Sequence, residues 1–128
     1  MFLIQDNVRR ILAVDDNKDI LELLQYILED YGYKVLTLAD GHNLFEKINE
    51  YRPDLILLDI MLGDMDGREL CKEVKQKTET NNIPVILISA SHDAGDLTRH
   101  ENGKPDGFIP KPFDINTLLN TVQRQIAA

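Results

Sequence analysis

Leu55-Ile56-Leu57-Leu58-Asp59 is the stretch on which the fold turns: four consecutive apolar residues ending on a carboxylate. A strand with one face in water alternates apolar and polar side chains, so a run that is apolar throughout belongs to a strand covered on both faces. Pro84-Val85-Ile86-Leu87-Ile88 repeats that pattern, and Arg10-Ile11-Leu12-Ala13-Val14 is a shorter version that runs into acids. Tyr33 to Leu38 reads as a further strand and Phe108-Ile109 as a minimal fifth. The stretches between them change period. Ile20, Leu23, Leu24, Ile27, Leu28 and Tyr31 recur at helical spacing and are closed by Gly32 as a C-cap. Leu44, Phe45, Ile48 and Tyr51 form a second stripe stopped by Pro53. Leu70, Cys71 and Val74 mark a third helix, with polar Lys75–Asn82 as its exposed end. Ile115, Leu118, Leu119, Val122 and Ile126 form a closing helix with Asp114 as N-cap. Five strands alternating with helices imply βαβ units with right-handed crossovers: an α/β, doubly wound five-stranded parallel sheet with helices on both faces.

Length and charge narrow the possibilities further. The 128 residues are one domain's worth, with no Ser/Gly/Pro-rich linker, so residues 1–128 are expected to form a single domain with a core of about 10–126 and no effector domain. With 14 Lys+Arg against 22 Asp+Glu the net charge is −8, which argues against direct nucleic-acid binding, because phosphate neutralisation needs a basic face. Apolar runs of a few residues do not span a bilayer, and no basic-then-apolar leader is present, so a cytoplasmic protein is expected. The single cysteine, Cys71, fits a reducing compartment.

In an open α/β sheet, chemistry collects at the carboxyl ends of the strands. Those ends carry Asp15 and Asp16, then Asp59, then Ser89, then Lys111. Each has a plainer use alone: Asp15 or Asp16 as a helix cap, Asp59 as a strand end, Ser89 as a small residue, Lys111 as a solvated charge. Together they place three carboxylates, a hydroxyl and an ammonium on one edge, a combination that independent strand ends rarely produce.

As a set, these residues resemble the receiver domains of bacterial two-component response regulators. The resemblance runs from about Arg10 to Ile126. It is carried by Asp15-Asp16, by Asp59-Ile60-Met61-Leu62-Gly63-Asp64-Met65-Asp66-Gly67, by Ser89-Ala90 and by Lys111-Pro112-Phe113. The separations from Asp16 to Asp59 to Ser89 to Lys111 are 43, 30 and 22 residues, which also fit. The resemblance implies a flavodoxin-like sheet of strand order 2-1-3-4-5 and a cis Lys111-Pro112 bond. It implies that Asp59 is the phosphoacceptor, a carboxylate nucleophile that forms an acyl phosphate. Mg²⁺, or Mn²⁺ in its place, is expected on Asp16, Asp59 and the backbone carbonyl of Met61, with Asp15 acting through water. Oxygen ligands suit Mg²⁺, which neutralises phosphoryl charge during transfer. Ser89 and Lys111 are expected to bind phosphoryl oxygens, and Ala90 to leave room for the group to enter. Phe108, three residues before Lys111, is expected to switch with Ser89, a role compatible with being core. The implied donor is a sensor histidine kinase or histidine phosphotransfer protein, and the implied output is a protein target on the Asp93–Gln125 face. Such a domain is not an enzyme beyond catalysing its own phosphorylation and dephosphorylation.

Two departures stand out. Gly63 occupies a position where the family usually has proline, so a looser loop is expected. Asp93–Asp106 holds Leu97 as its one large apolar residue, so a helix of about two turns or fewer is expected around Asp93–Glu101, followed by an irregular loop. Met61 and Ser91 fill the two positions that help place hydrolytic water in the family, and neither carries a carboxylate or amide. Of the rivals, an aspartyl-nucleophile phosphohydrolase is disfavoured because its acids lie two residues apart after the first strand, whereas these are adjacent. A pseudo-receiver binding module is disfavoured because every required group is present. His42, His92 and His100 lack metal-ligand spacing, so no zinc site is expected.

Overall fold

A computed structural model describes residues 8–90 and 104–126. Its elements in chain order are β1 (Arg10–Val14), α1 (Lys18–Asp30), β2 (Lys34–Leu38), α2 (Leu44–Tyr51), β3 (Leu55–Asp59), β4 (Met61–Leu62), β5 (Met65–Asp66), α3 (Gly67–Gln76), β6 (Val85–Ser89), β7 (Gly107–Pro110) and α4 (Ile115–Ile126). The five longer strands pair in parallel in the order β2-β1-β3-β6-β7, as expected for the doubly wound sheet.

The period-2 alternation of strands divides the core into two layers. Ile11, Ala13, Leu55, Leu57, Ile86 and Ile88 pack with α1 and α4 on one face of the sheet. Leu12, Val14, Ile56, Leu58, Val85 and Leu87 pack with α2 and α3 on the other. Every residue of β3 and β6 is buried, which is why those two stretches read as unbroken apolar runs. The expected helix near Asp93–Glu101 lies outside the described residues.

Local details differ from the sequence reading. The first helix is capped by Asn17, whose side chain accepts from the backbone N–H groups of Asp19 and Ile20, and not by Asp15 or Asp16. Its buried stripe is Leu21, Leu24, Ile27 and Leu28, with Leu23 and Tyr31 exposed. Gly32 does follow the helix end, at φ +95°, a left-handed conformation that suits glycine. The polar stretch after α3 is not uniformly exposed: Thr80 is buried and its hydroxyl donates to Val74 O at 2.7 Å. Asp114 caps α4 as expected, accepting from Thr117 N at 2.7 Å.

The segment after Asp59 folds into a short hairpin. Met61 pairs with Asp66 and Leu62 with Met65, leaving Gly63-Asp64 as a two-residue hairpin loop. Gly63 has φ +67° and Asp64 does not share the positive value, which is the pattern of a type II′ turn. Proline, locked near φ −65°, cannot occupy that position.

Candidate functional site

Parallel pairing brings the ends of β1, β3 and β6 side by side, and the residues that follow them converge. Asp59 closes β3 between its two neighbours. Asp15 is pinned by its backbone: its N–H donates to Leu38 O at 3.1 Å, extending the ladder one residue past β1. Both oxygens of its side chain are engaged, Oδ1 accepting from Asn17 N at 2.9 Å and Oδ2 from Lys111 Nζ at 2.8 Å. Lys111 is set by its own N–H, which donates to Ser89 O at 2.8 Å, and it precedes the cis bond to Pro112. The same ammonium lies 3.5 Å from Asp59 Oδ2. Asp59 Oδ1 accepts a long bond, 3.4 Å, from Met61 N.

Carboxylate oxygens of Asp15, Asp16 and Asp59 lie within 4.8 Å of one another. Asp15, Asp59 and Ser89 are buried, whereas Asp16 is exposed at the rim. Among the described residues, one ammonium among three carboxylates leaves an excess of two negative charges at a mostly buried place. Burial and the Asp15 charge push Asp59 above the usual carboxylate range, against the pull of Lys111 and the Met61 amide. Burial alone would lower Lys111, but its hydrogen bond to Asp15 and the charge of Asp59 outweigh that, and it titrates above its ordinary value. The all-oxygen donor set and the uncompensated charge fit a hard divalent cation.

The remaining expected residues take distinct places. Ala90 is exposed immediately after Ser89, while Met61 is 69% exposed on the hairpin. Phe108 is half-buried and packs on the α2/α3 layer of the core, so a packing role is present whatever else it does. Two features of the site went unread in the sequence. Gly67 lies so close to the phosphoacceptor candidate that an added Cβ would sit 2.0 Å from Asp59 O. Its N–H donates to Ile60 O at 2.7 Å, so α3 starts directly against the end of β3. The second is a hydrogen-bonded contact between His42 and Asp64, taken up below. Only the Asp-Gly dipeptide before a helical stripe could have hinted at the first; the second spans 22 residues with no pattern.

A parallel sheet of this order, with acids and a lysine gathered at its carboxyl edge, agrees with what the comparisons with known proteins find. The chain belongs to the response regulator receiver domain family, which it matches over residues 11–123. It is 35% identical over 120 residues to the alkaline phosphatase synthesis transcriptional regulatory protein PhoP of Bacillus subtilis (strain 168), covering 91% of this chain and 49% of that protein. The chain therefore spans about half the length of that relative. Among solved structures it is similar to a CheY-like response regulator receiver domain protein of Methanospirillum hungatei JF-1, with 29% identity and a TM-score of 0.85 over 94% of this chain and 95% of that one. It is also similar to the chemotaxis response regulator CheY4 of Vibrio cholerae, with 30% identity and a TM-score of 0.84 over 93% and 99%. The phosphoryl-accepting role follows from the family, whose members receive phosphoryl groups from histidine kinases and bind Mg²⁺ at an acidic cluster. Among the described residues no helix is long and apolar enough to cross a membrane.

Proposed function

We propose that Asp59 is the phosphoacceptor of a single receiver domain spanning residues 1–128, which works in the cytoplasm and has no catalytic role beyond its own phosphorylation and dephosphorylation. The observation that carries this reading is the convergence of Asp15 and Lys111 on Asp59 at a buried strand end. A carboxylate oxygen of Asp59 attacks phosphorus of a phosphohistidine on a sensor kinase or phosphotransfer protein. The P–N bond breaks and its electron pair leaves with the imidazole. Lys111 and Ser89 hold phosphoryl oxygens as charge shifts onto them. Asp16, Asp59 and the Met61 carbonyl are the residues to hold Mg²⁺ or Mn²⁺, with Asp15 acting through water. A bound ion supplies neutralisation of the phosphoryl charge. Ser89 turning toward the phosphoryl group and Phe108 moving inward carry the signal to a protein partner on the Asp93–Gln125 face.

Intact mass after incubation with a small acyl-phosphate donor and Mg²⁺ tests the assignment. One phosphoryl group is expected on the wild type and none on Asp59→Asn. Equal labelling of both would remove Asp59 from its role, and no labelling of either would favour the pseudo-receiver.

A further inference from the structure

We propose that His42 and Asp64 bracket the mouth of the site and position the Met61 backbone for metal binding, an inference that rests on the role of Met61 given above. His42 stands in the turn after β2, 22 positions from its partner. Its N–H donates to Asp40 Oδ1 at 2.9 Å, which fixes the turn. Its Nε2 lies 3.1 Å and 3.0 Å from the two oxygens of Asp64, at the tip of the β4–β5 hairpin. Beneath this polar tie the turn after β2 packs on the hairpin strands and on α3. A Cβ added to Gly41 would lie 2.5 Å from Leu70 Cδ1, 3.2 Å from Met65 Sδ and 3.5 Å from Leu62 Cδ1.

Among the described residues the hairpin's two strands, of two residues each, pair only with each other, so contacts outside it, the burial of Leu62 in the core and the His42 tie among them, hold it in place. An isolated two-stranded ribbon is marginal on its own, so outside contacts set its orientation. Its base is held where Gly67 meets Asp59 and Ile60, and its tip where Asp64 meets His42. Met61 lies between these two anchors, and its N–H already reaches toward Asp59 Oδ1. His42 therefore acts as a positioning residue, through the hairpin. A neutral imidazole with its proton on Nε2 donates this bond as a charged one does, so the bracket does not require protonation.

Both side chains are more than half exposed, so the effect is modest, about two- to fivefold in an equilibrium constant. Its sign is diagnostic. Removing a group that carries any positive charge strengthens Mg²⁺ binding if only charge matters, whereas loss of positioning weakens it. The experiment is Mg²⁺ titration of the unphosphorylated protein by calorimetry, with the Met61 amide followed by NMR. His42→Ala and Asp64→Ala are each expected to weaken binding and move the Met61 amide, with the double variant no weaker than either single. His42→Gln, which still donates, should recover most of the loss. Lys47→Ala, which breaks the exposed Lys47–Glu50 pair elsewhere, should change nothing. Unchanged or tighter binding in His42→Ala, additive losses, or an equal loss in Lys47→Ala would overturn the bracket. A wild type that binds no Mg²⁺ overturns the metal assignment instead, and the metal-free Met61 amide still decides the bracket by moving or not in His42→Ala.

Discussion

Two lysines reach aspartates at 2.8 Å from opposite edges of the same sheet, and they do different things. At the amino edge, Lys75 Nζ donates to Asp106 Oδ2 at 2.8 Å and to Ile83 O at 3.0 Å. Asp106 Oδ2 also accepts from Val85 N, its backbone N–H donates to Val85 O at 2.7 Å, and its carbonyl accepts from Gln125 Nε2. One cation meets one anion, and the contacts join α3, β6, β7 and α4. At the carboxyl edge, Lys111 faces Asp15 and Asp59 together, with Asp16 nearby, and charge is left over. Distance and residue type are identical in the two pairs. Charge balance is what separates a clamp from a site, because only the unbalanced edge gains from taking up a cation or holding a phosphoryl group.

The largest expected contrast lies in phosphoryl transfer. Lys111→Met should slow labelling by a small acyl-phosphate donor about a hundredfold or more, the usual cost of removing a group that holds developing charge. Lys75→Met should leave the labelling rate of the folded protein unchanged. Comparable losses in both variants would erase the distinction between the two edges.

Stability should show the reverse order. Asp106→Ala removes charge-assisted bonds to Lys75 and to Val85 N, and each such bond contributes about 1.5–3 kcal/mol. A loss of about 3 kcal/mol in urea denaturation, with labelling retained, is expected. A loss below about 0.5 kcal/mol would mean that the clamp is merely a surface pair.

Much of this contrast was legible in the sequence on one side only. Asp15, Asp59, Ser89 and Lys111 announced themselves because apolar strands deliver their next residues to a common edge. Leu55–Leu58 and Val85–Ile88 are apolar throughout since both their faces are covered. Lys75 and Asp106 lie 31 residues apart with no periodicity linking them, and Lys75 read as the start of a solvated helix end. The hairpin was equally hidden, because strands of two residues carry no alternation and Gly63 decides the turn alone. Asn17 displaced the acids as helix cap because Lys111 and the Asn17 amide already engage Asp15.

A smaller effect tests the charge excess itself. Asp59 binds a proton more tightly in the folded state than in the unfolded chain, because burial and Asp15 disfavour its charge. Stability therefore falls as pH rises from the ordinary carboxylate value of 3.8 through the raised one, and the penalty is complete above it. In chelated buffer Asp59→Asn should melt higher than wild type at neutral pH, each kcal/mol of gain registering as roughly 3–6 °C. The gap should close as the pH approaches 4, where the wild-type carboxyl takes up its proton. A gap independent of pH would assign the gain to packing and not to charge.

The smallest effect concerns how long the phosphoryl group stays. Met61 is 69% exposed on the hairpin beside Asp59, at a position expected from the family resemblance to help place the hydrolytic water. A thioether is a poor hydrogen-bond partner, so the Met61 side chain does little to orient water arriving at the rim. Met61→Asn supplies an amide that both donates and accepts, at a site where a side chain of that size costs little packing. One oriented hydrogen bond contributes about 0.5–1.5 kcal/mol, so loss of label should speed up about two- to tenfold. The melting temperature and the initial labelling rate should hardly move, since the substituted side chain is largely exposed. Decay of the phosphorylated protein after removal of donor, followed by intact mass, reads the rate directly. Equal decay in wild type and Met61→Asn would show that the rim at Met61 does not govern the lifetime.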